Sequence, residues 1–211
     1  MLSFRRGARR QDMQLPLFPL RTVLYPGSRL PLKVFEQRYV AMTKACLQDS
    51  RPFGVCLITH GDEVADARAG TVTAPQFAAI GTLATIVEWD VPQLGIMHLA
   101  TVGGSRFEVK AHALRADGLV MGEVTTLDAE PAHALPESYR PLARLLQRMC
   151  EKVGPEHIAT PLALDDASWV SYRLAELLPL PLSIKQSMLE INDSEVRLAA
   201  LMQFLRGQGL L

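Results

Sequence analysis

Apolar residues along the chain follow two different periods, and the change falls near residue 127. Before it, short runs rich in Val, Ile, Thr and Phe alternate with turn formers. Residues 15–20 and 29–32 predict brief extended pieces punctuated by Pro16, Pro19, Pro26-Gly27 and Pro31. Proline lacks the donor that a ladder needs, so these pieces are expected at sheet edges or strand ends. Phe35, Tyr39, Met42 and Cys46 recur at spacings of four, three and four, which predicts one helical stripe over residues 35–47. Further strands are expected at 53–59, 77–88, 95–103, 105–113 and 119–127. Turns are expected at Trp89-Asp90-Val91-Pro92, Gly103-Gly104 and Asp117-Gly118. The last two suit tight hairpins, because positive φ costs glycine little. Antiparallel strands at this spacing imply a closed or partly closed sheet.

Beyond residue 127 the period becomes helical. Residues 128–136 hold two prolines and no pattern, so they predict a linker. Leu142, Leu145, Leu146, Met149 and Val153 form a stripe that stops at Gly154, a natural helix end. Asp166 or Ser168 is placed to cap a helix burying Trp169, Leu174, Leu177 and Leu178. Ser183 with Gln186, and Asn192 with Glu195, have capping-box spacing ahead of two more helices. The expected organisation is a basic tail (1–12), a β subdomain (13–127), a linker (128–136) and a helical bundle (137–211). The fold class is α+β: an antiparallel β pseudo-barrel with one inserted helix, then helices.

Composition narrows the partners. The chain has 211 residues, 48% hydrophobic and 21% charged, ample for a core and too apolar for disorder. Its leading tail carries Arg5, Arg6, Arg9 and Arg10 against Asp12. Without those, the 22 basic and 22 acidic residues become 18 against 21. A mildly acidic body does not favour nucleic acid, whose binding rests on phosphate neutralisation. No run approaches the roughly 20 apolar residues that span a bilayer. Cys46, Cys56 and Cys150 are widely spaced and read as reduced core thiols, which points to the cytoplasm.

Chemistry-bearing motifs are sparse. None of the five lysines follows a glycine, so there is no P-loop, and G-x-G-x-x-G is absent. No cofactor or metal is expected. The cluster His60, Asp62, Glu63, Asp66 reads as a solvated acidic loop. Ser183 and Lys185 lie two apart on a predicted helix and so do not face each other. Cys46 and Cys56 sit on apolar faces, where burial makes a thiol inert. Glu36 and Arg38 stand out among the charged residues. At a helix start, Glu36 favours the positive dipole end and Arg38 can reach a carboxylate or turn carbonyls. Their expected role is to anchor helix to sheet, with ligand contact as the alternative.

The segment LPLFPLRTVLYPGSRLPLKVFEQRYVAM resembles the opening of the Lon protease N-terminal, substrate-binding domain. That family reads Pro-Leu, then Phe-Pro-Gly, then Pro-Leu-x-Ile-Phe-Glu-x-Arg-Tyr. Pro19, Leu20, Pro26, Gly27, Pro31, Leu32, Phe35, Glu36, Arg38 and Tyr39 fall on those positions, with Tyr25 for the usual Phe. FGVCLI, IGTLATIVE, the Gly104, Arg106, Phe107 step and SIKQSMLEINDSEVRLAALMQFL are similar too. Pro92-Gln93-Leu94-Gly95-Ile96 departs from the Asp-Gly-Arg-like turn that the family often carries.

The resemblance implies a PUA-like pseudo-barrel followed by helices. It also implies a non-catalytic module that binds unfolded or hydrophobic polypeptide, or a protein partner, and stands without ATPase or protease domains. The candidate binding residues are Phe35, Glu36, Arg38, Tyr39 and Arg106. Two other readings stay open: an RNA-binding PUA-like protein, or a small-molecule enzyme around His98, His112 and Glu108. If Phe35 is fully buried, Phe35→Ala is expected to cost on the order of 3–5 kcal/mol.

Overall fold

The computed structural model describes residues 10–61, 75–154, 158 and 161–210. Most of the predicted basic tail, and Asp62, Glu63 and Asp66 of the acidic loop, lie outside them. The chain divides into two compact units between Ala129 and Glu130.

The first unit is built from seven strands and one helix: β1 (Asp12–Leu20), β2 (Arg29–Val34), α1 (Gln37–Asp49), β3 (Phe53–His60), β4 (Gln76–Phe77), β5 (Ile80–Gln93), β6 (Ile96–Leu114) and β7 (Val120–Thr126). Strand order is β1-β7-β6-β5-β3-β4, with β2 on β6. All these pairings are antiparallel. A further pairing of β1 with β3, parallel from Leu17↔Gly54 to Leu20↔Leu57, closes the sheet into a ring. Sequence periodicity gave no sign of a parallel pair, which the intervening β2 and α1 make possible as a crossover.

β1 starts at Asp12 and pairs with β7 over Asp12–Leu17, then with β3 over Leu17–Leu20. Pro16 therefore falls where only β7 is alongside, and Pro19 where only β3 is. N–H groups three residues apart point to opposite edges of a strand, and the two ladders occupy opposite edges. One phase of the strand thus leaves both missing donors on the open side. That is how two prolines sit inside a ring-closing strand rather than at its ends.

Two expected turns are not turns. β6 runs unbroken through Gly103-Gly104. Gly103 is needed for close approach: a Cβ there would be driven into the Tyr25 carbonyl oxygen. The neighbouring turn carries the reversal, with Ser28 N donating to Tyr25 O (3.0 Å) and Gly27 at φ +75°. Pro26 and Gly27 occupy the positions a type II turn favours. Gly27 N then donates to Gly103 O (2.7 Å), and Gly103 N to Ser28 O (2.9 Å). β5 likewise continues through Trp89–Pro92 to a reversal with Gly95 at φ +84°. Asp117-Gly118 is a turn: Gly118 N donates to Arg115 O (2.9 Å).

Inside the ring, Leu17 and Phe107 are fully buried. They fit because the facing positions carry no side chain. A Cβ on Gly54 would stand 2.6 Å from Leu17 and 2.7 Å from Phe107, and one on Gly81 would stand 2.6 Å from Phe107. A second cluster packs α1 onto the strands through Tyr39, Met42, Cys46, Phe53 and Met97.

The second unit holds a short 3-10 turn (Glu137–Tyr139), α2 (Arg140–Val153), α3 (Ala167–Leu177), α4 (Leu182–Glu190) and α5 (Ser194–Gly207). α3 packs against α2, α4 and α5. Asp166 caps α3 by accepting from Trp169 N (2.7 Å). α5 is capped by Asp193, which accepts from Glu195 N and Val196 N, one position past the expected Asn192. α4 begins at Leu182 after Pro181, so Ser183 lies in its first turn and caps nothing. Residues of the expected linker are tied into this unit. Leu135 N donates to Asp165 O (2.8 Å), and Ala167 N to His133 O (3.0 Å).

Glu130 carries the unit's main buried charge contact. Arg197, fully buried, donates to Glu130 Oε2 (2.5 Å), Ser171 Oγ (3.0 Å) and Ile191 O (2.7 Å), and lies over the Tyr172 ring. Burial alone pushes the Glu130 carboxyl up, but the Arg197 hydrogen bond and charge, with the Ser168 hydroxyl, hold it below its ordinary value. A depressed carboxyl stabilises the fold above the ordinary carboxylate range, and that stabilisation is lost as pH falls through the folded value.

Two measurements check this account. Gly54→Ala overpacks the ring and is expected to cost about 1–3 kcal/mol in urea melts. Glu130→Ala leaves Arg197 buried and unpaired, at a cost of about 3–5 kcal/mol near neutral pH. Glu130→Gln, which cannot titrate, should lose less stability than wild type on acidification through and below the ordinary carboxylate range.

Candidate functional site: an exposed apolar hairpin

The ring uses little of β5. β3 pairs with it from Thr82 to Ala84, and beyond that β5 has β6 on one side. β2 flanks the same stretch of β6, pairing from Arg29↔Val102 to Val34↔Met97. The result is a three-stranded β2-β6-β5 ladder whose β5–β6 end is a hairpin. Directly paired residues share a face. One face carries the row Leu32–Leu99–Trp89, and the other the row Lys33–His98–Asp90.

The first face explains both the core and the candidate site. Leu99 and Met97 are buried against α1, with Leu30, Leu32 and Ile86 partly buried beside them. Toward the hairpin end the same face runs past the core. Trp89 is 57% exposed, and Val91, two residues on, shares its side of the strand. Leu94 at the reversal is 97% exposed. Val87 is also exposed, at a register shift between Ile86 and Glu88 that re-aims the strand. Phe35, one residue past the Val34↔Met97 pair, is 51% exposed at this same end. Isolated exposed apolar residues are ordinary, but Val87, Trp89, Val91 and Leu94 follow one another along a single projecting hairpin, with Phe35 at its end, which makes this stretch the candidate site.

This corrects the expectation for Phe35. It precedes the helix, with Glu36 as N-cap, and does not join the buried stripe. The aromatic anchor is Tyr39, stacked on Phe18 with centroids 3.9 Å apart and 19° between planes. Arg38 ion-pairs with Glu36 (2.9 Å), donates to Gly118 O (2.9 Å) and lies over the Tyr39 ring. It therefore joins the helix start to the β6–β7 turn. Arg106 is buried, beside Thr82 of β5. Of the five candidates, only Phe35 offers a largely exposed side chain; Arg38, Tyr39 and Arg106 are interior, and Glu36 is half-buried. Trp89, Val91 and Leu94 were missed because Asp90 and Pro92 read as turn residues. The signal was Val87-x-Trp89-x-Val91, a period-two pattern.

Other chemistry is dispersed among the described residues. His98 faces Asp90 at one end of β6, and His112 packs on Phe77 far along the strand. The fourteen residue steps from one to the other run roughly 45 Å along the strand. Glu108 pairs with Lys110 in the open. Lys185 Nζ donates to Glu176 O (2.7 Å), and burial pushes its pKa down; Ser183 is not its partner. Burial pushes the Cys46 thiol up to about 11, with Asp49 adding to the effect, and the Cys56 thiol up to about 12, so both are protonated at neutral pH. Among the described residues, no three His, Cys, Asp or Glu come together as a metal would need. No helix among the described residues is long and apolar enough to cross a membrane.

A ring of strands with an inserted helix, a clasp of Phe18, Glu36, Arg38 and Tyr39, and a separate set of helices make up the described architecture. Residues 14–207 match the model of the ATP-dependent protease La (LON) substrate-binding domain, and the chain belongs to that family. It is similar to a crystallised Lon N-terminal domain protein from Xanthomonas campestris, at 37% identity and a TM-score of 0.73, covering 90% of this chain and 98% of that one. The N-terminal domain of a Mycobacterium avium complex Lon protease shares the fold at 17% identity and a TM-score of 0.59, covering 90% and 97%. Lon protease of Xanthomonas oryzae is 27% identical over 93% of this chain and 23% of its own length. For the Escherichia coli K12 enzyme the figures are 23%, 95% and 25%. The chain spans about a quarter of the length of these curated relatives.

The packing difference is measurable. Tyr39→Ala should cost about 3–5 kcal/mol. Phe35→Ala should cost about 1 kcal/mol or less, because half the ring is already in water. Denaturant melts of the two variants check the order.

Proposed function

We propose that this chain is a non-catalytic module that holds unfolded or hydrophobic polypeptide, or the apolar surface of a protein partner, in Lon-type proteolysis or protein quality control. The observation that carries the reading is the exposed Trp89, Val91 and Leu94 surface at the end of the β5–β6 hairpin, with Phe35 beside it. The family's description as substrate-binding supports it. In this reading the strand ring is a PUA-like pseudo-barrel, and Glu36, Arg38, Tyr39 and Arg106 hold the surface in place while Phe35 touches the client. Three buried free thiols suit a reducing compartment, and the reading places the protein in the cytoplasm.

Binding of this kind gains its free energy from apolar area removed from water. A fully covered large side chain contributes about 1.5–3 kcal/mol. The double variant Trp89→Ser, Leu94→Ser should therefore bind a permanently unfolded, carboxymethylated polypeptide at least tenfold more weakly, measured by fluorescence anisotropy. Its urea midpoint should move little, because both side chains are exposed. Client binding should also shift wild-type tryptophan emission to the blue as Trp89 leaves water. Unchanged affinity in the double variant would falsify the assignment of the surface.

A further inference from the structure

A second feature of the strand unit is unused by the reading above. α1, β1 and β7 enclose a pocket of ≈ 340 Å³. Its floor is apolar: Leu15, Met42, Cys46 and Leu119 are all buried. The pocket exists because α1 presents Ala41 and Ala45 to it, four residues apart and hence on one side of the helix. A larger residue at either position would occupy the space. The thiol on the floor is protonated, so the floor carries no charge.

The mouth is charged, and its groups are not equivalent. Asp117 is committed, pairing with Arg115 (3.1 Å) and accepting from Leu119 N (3.1 Å). Arg51 and Asp49 remain. Among the described residues the Arg51 guanidinium makes no hydrogen bond or ion pair, and only its backbone N–H is engaged, by Cys46 O. A planar guanidinium fork takes a carboxylate through two parallel hydrogen bonds. Asp49 on the same rim disfavours a second negative group. An apolar floor beneath one available guanidinium is complementary to a ligand with an apolar body and a single carboxylate.

We propose that this pocket takes the C-terminal residue of a polypeptide when that residue is large and apolar, its side chain on the Leu15–Met42–Leu119 floor and its α-carboxylate on Arg51. The inference rests on the polypeptide-binding reading for the class of ligand, but it uses none of the hairpin residues. Chain-end capture of this form is a recurrent mode of peptide recognition.

The test is a chemical-shift titration of the full chain with the peptide Gly-Ser-Gly-Ser-Leu as free acid, as C-terminal amide and with an acetylated N-terminus. The free acid and its acetylated form should bind alike, shifting signals of α1 and β7. The amide should bind at least fivefold more weakly. Arg51→Gln should bring the free acid down to the amide's affinity, and Ala45→Leu should abolish saturable binding. Both positions are exposed, and a thermal melt of each variant verifies its fold. Equal affinity for acid and amide, loss of binding on acetylation alone, or full binding by Ala45→Leu would each overturn the proposal. A wild-type protein that binds the unfolded client but not this peptide overturns the pocket alone. One that binds the peptide but not the client overturns the hairpin reading alone.

Discussion

The parallel pairing of β1 with β3 is the constraint on which the strand unit depends. Without it the sheet is an open run with β1 and β4 at its ends; with it β1, β7, β6, β5 and β3 form a ring. Closure demands that β1 change partner at Leu17, that no proline N–H be required at the change, and that β2 and α1 cross from one strand to the other. Each demand is visible in the first 60 residues. Tyr39 stacked on Phe18, and Arg38 bonded to the β6–β7 turn, fix the crossover helix against the strands it bridges.

Closure also decides what stays outside. A ring of short strands takes up only the beginning of β5, and β5 and β6 are the longest strands in the unit. Their surplus has to project. The face that is core at Leu99 becomes surface at its direct partner Trp89, because Leu99 belongs to the cluster that includes Tyr39, Met42 and Cys46 of α1, whereas Trp89 is 57% exposed. The apolar surface assigned to client binding is thus a consequence of strand length against ring size. Its position at a hairpin end leaves it open to solvent, while Arg106 and Tyr39 are interior.

The helical unit is stabilised differently. Its centre includes a charged side chain, Arg197, with its donors distributed over Glu130, Ser171 and the Ile191 carbonyl. Such a network is costly to break at one partner and therefore specifies one arrangement of α3, α5 and the segment entering the unit. Glu130 stands near the start of that segment, so the unit's entry strap and its last helix are joined by one buried ion pair.

Much of this was legible in the residues. The strand-then-helix order, the Asp117-Gly118 hairpin, the Asp166 cap and the Gly154 helix end follow from local chemistry, where a φ angle or a cap is set by near neighbours. The family was legible too, since its opening motif is dense in prolines, glycines and an aromatic-ionic cluster that few chains share. What local chemistry could not supply was context. Gly103 signals a turn or a close approach equally well, and only the Tyr25 carbonyl beside it selects the second. Trp89 and Phe35 carry the same apolar signal whether covered or bare. Glu130 and Arg197 are 67 residues apart, and nothing in either neighbourhood pairs them. The sequence by itself determined which segments are strands or helices and which backbone bends are possible. The tertiary structure alone decided which apolar faces find a partner, because burial depends on what crosses over a residue and not on the residue itself.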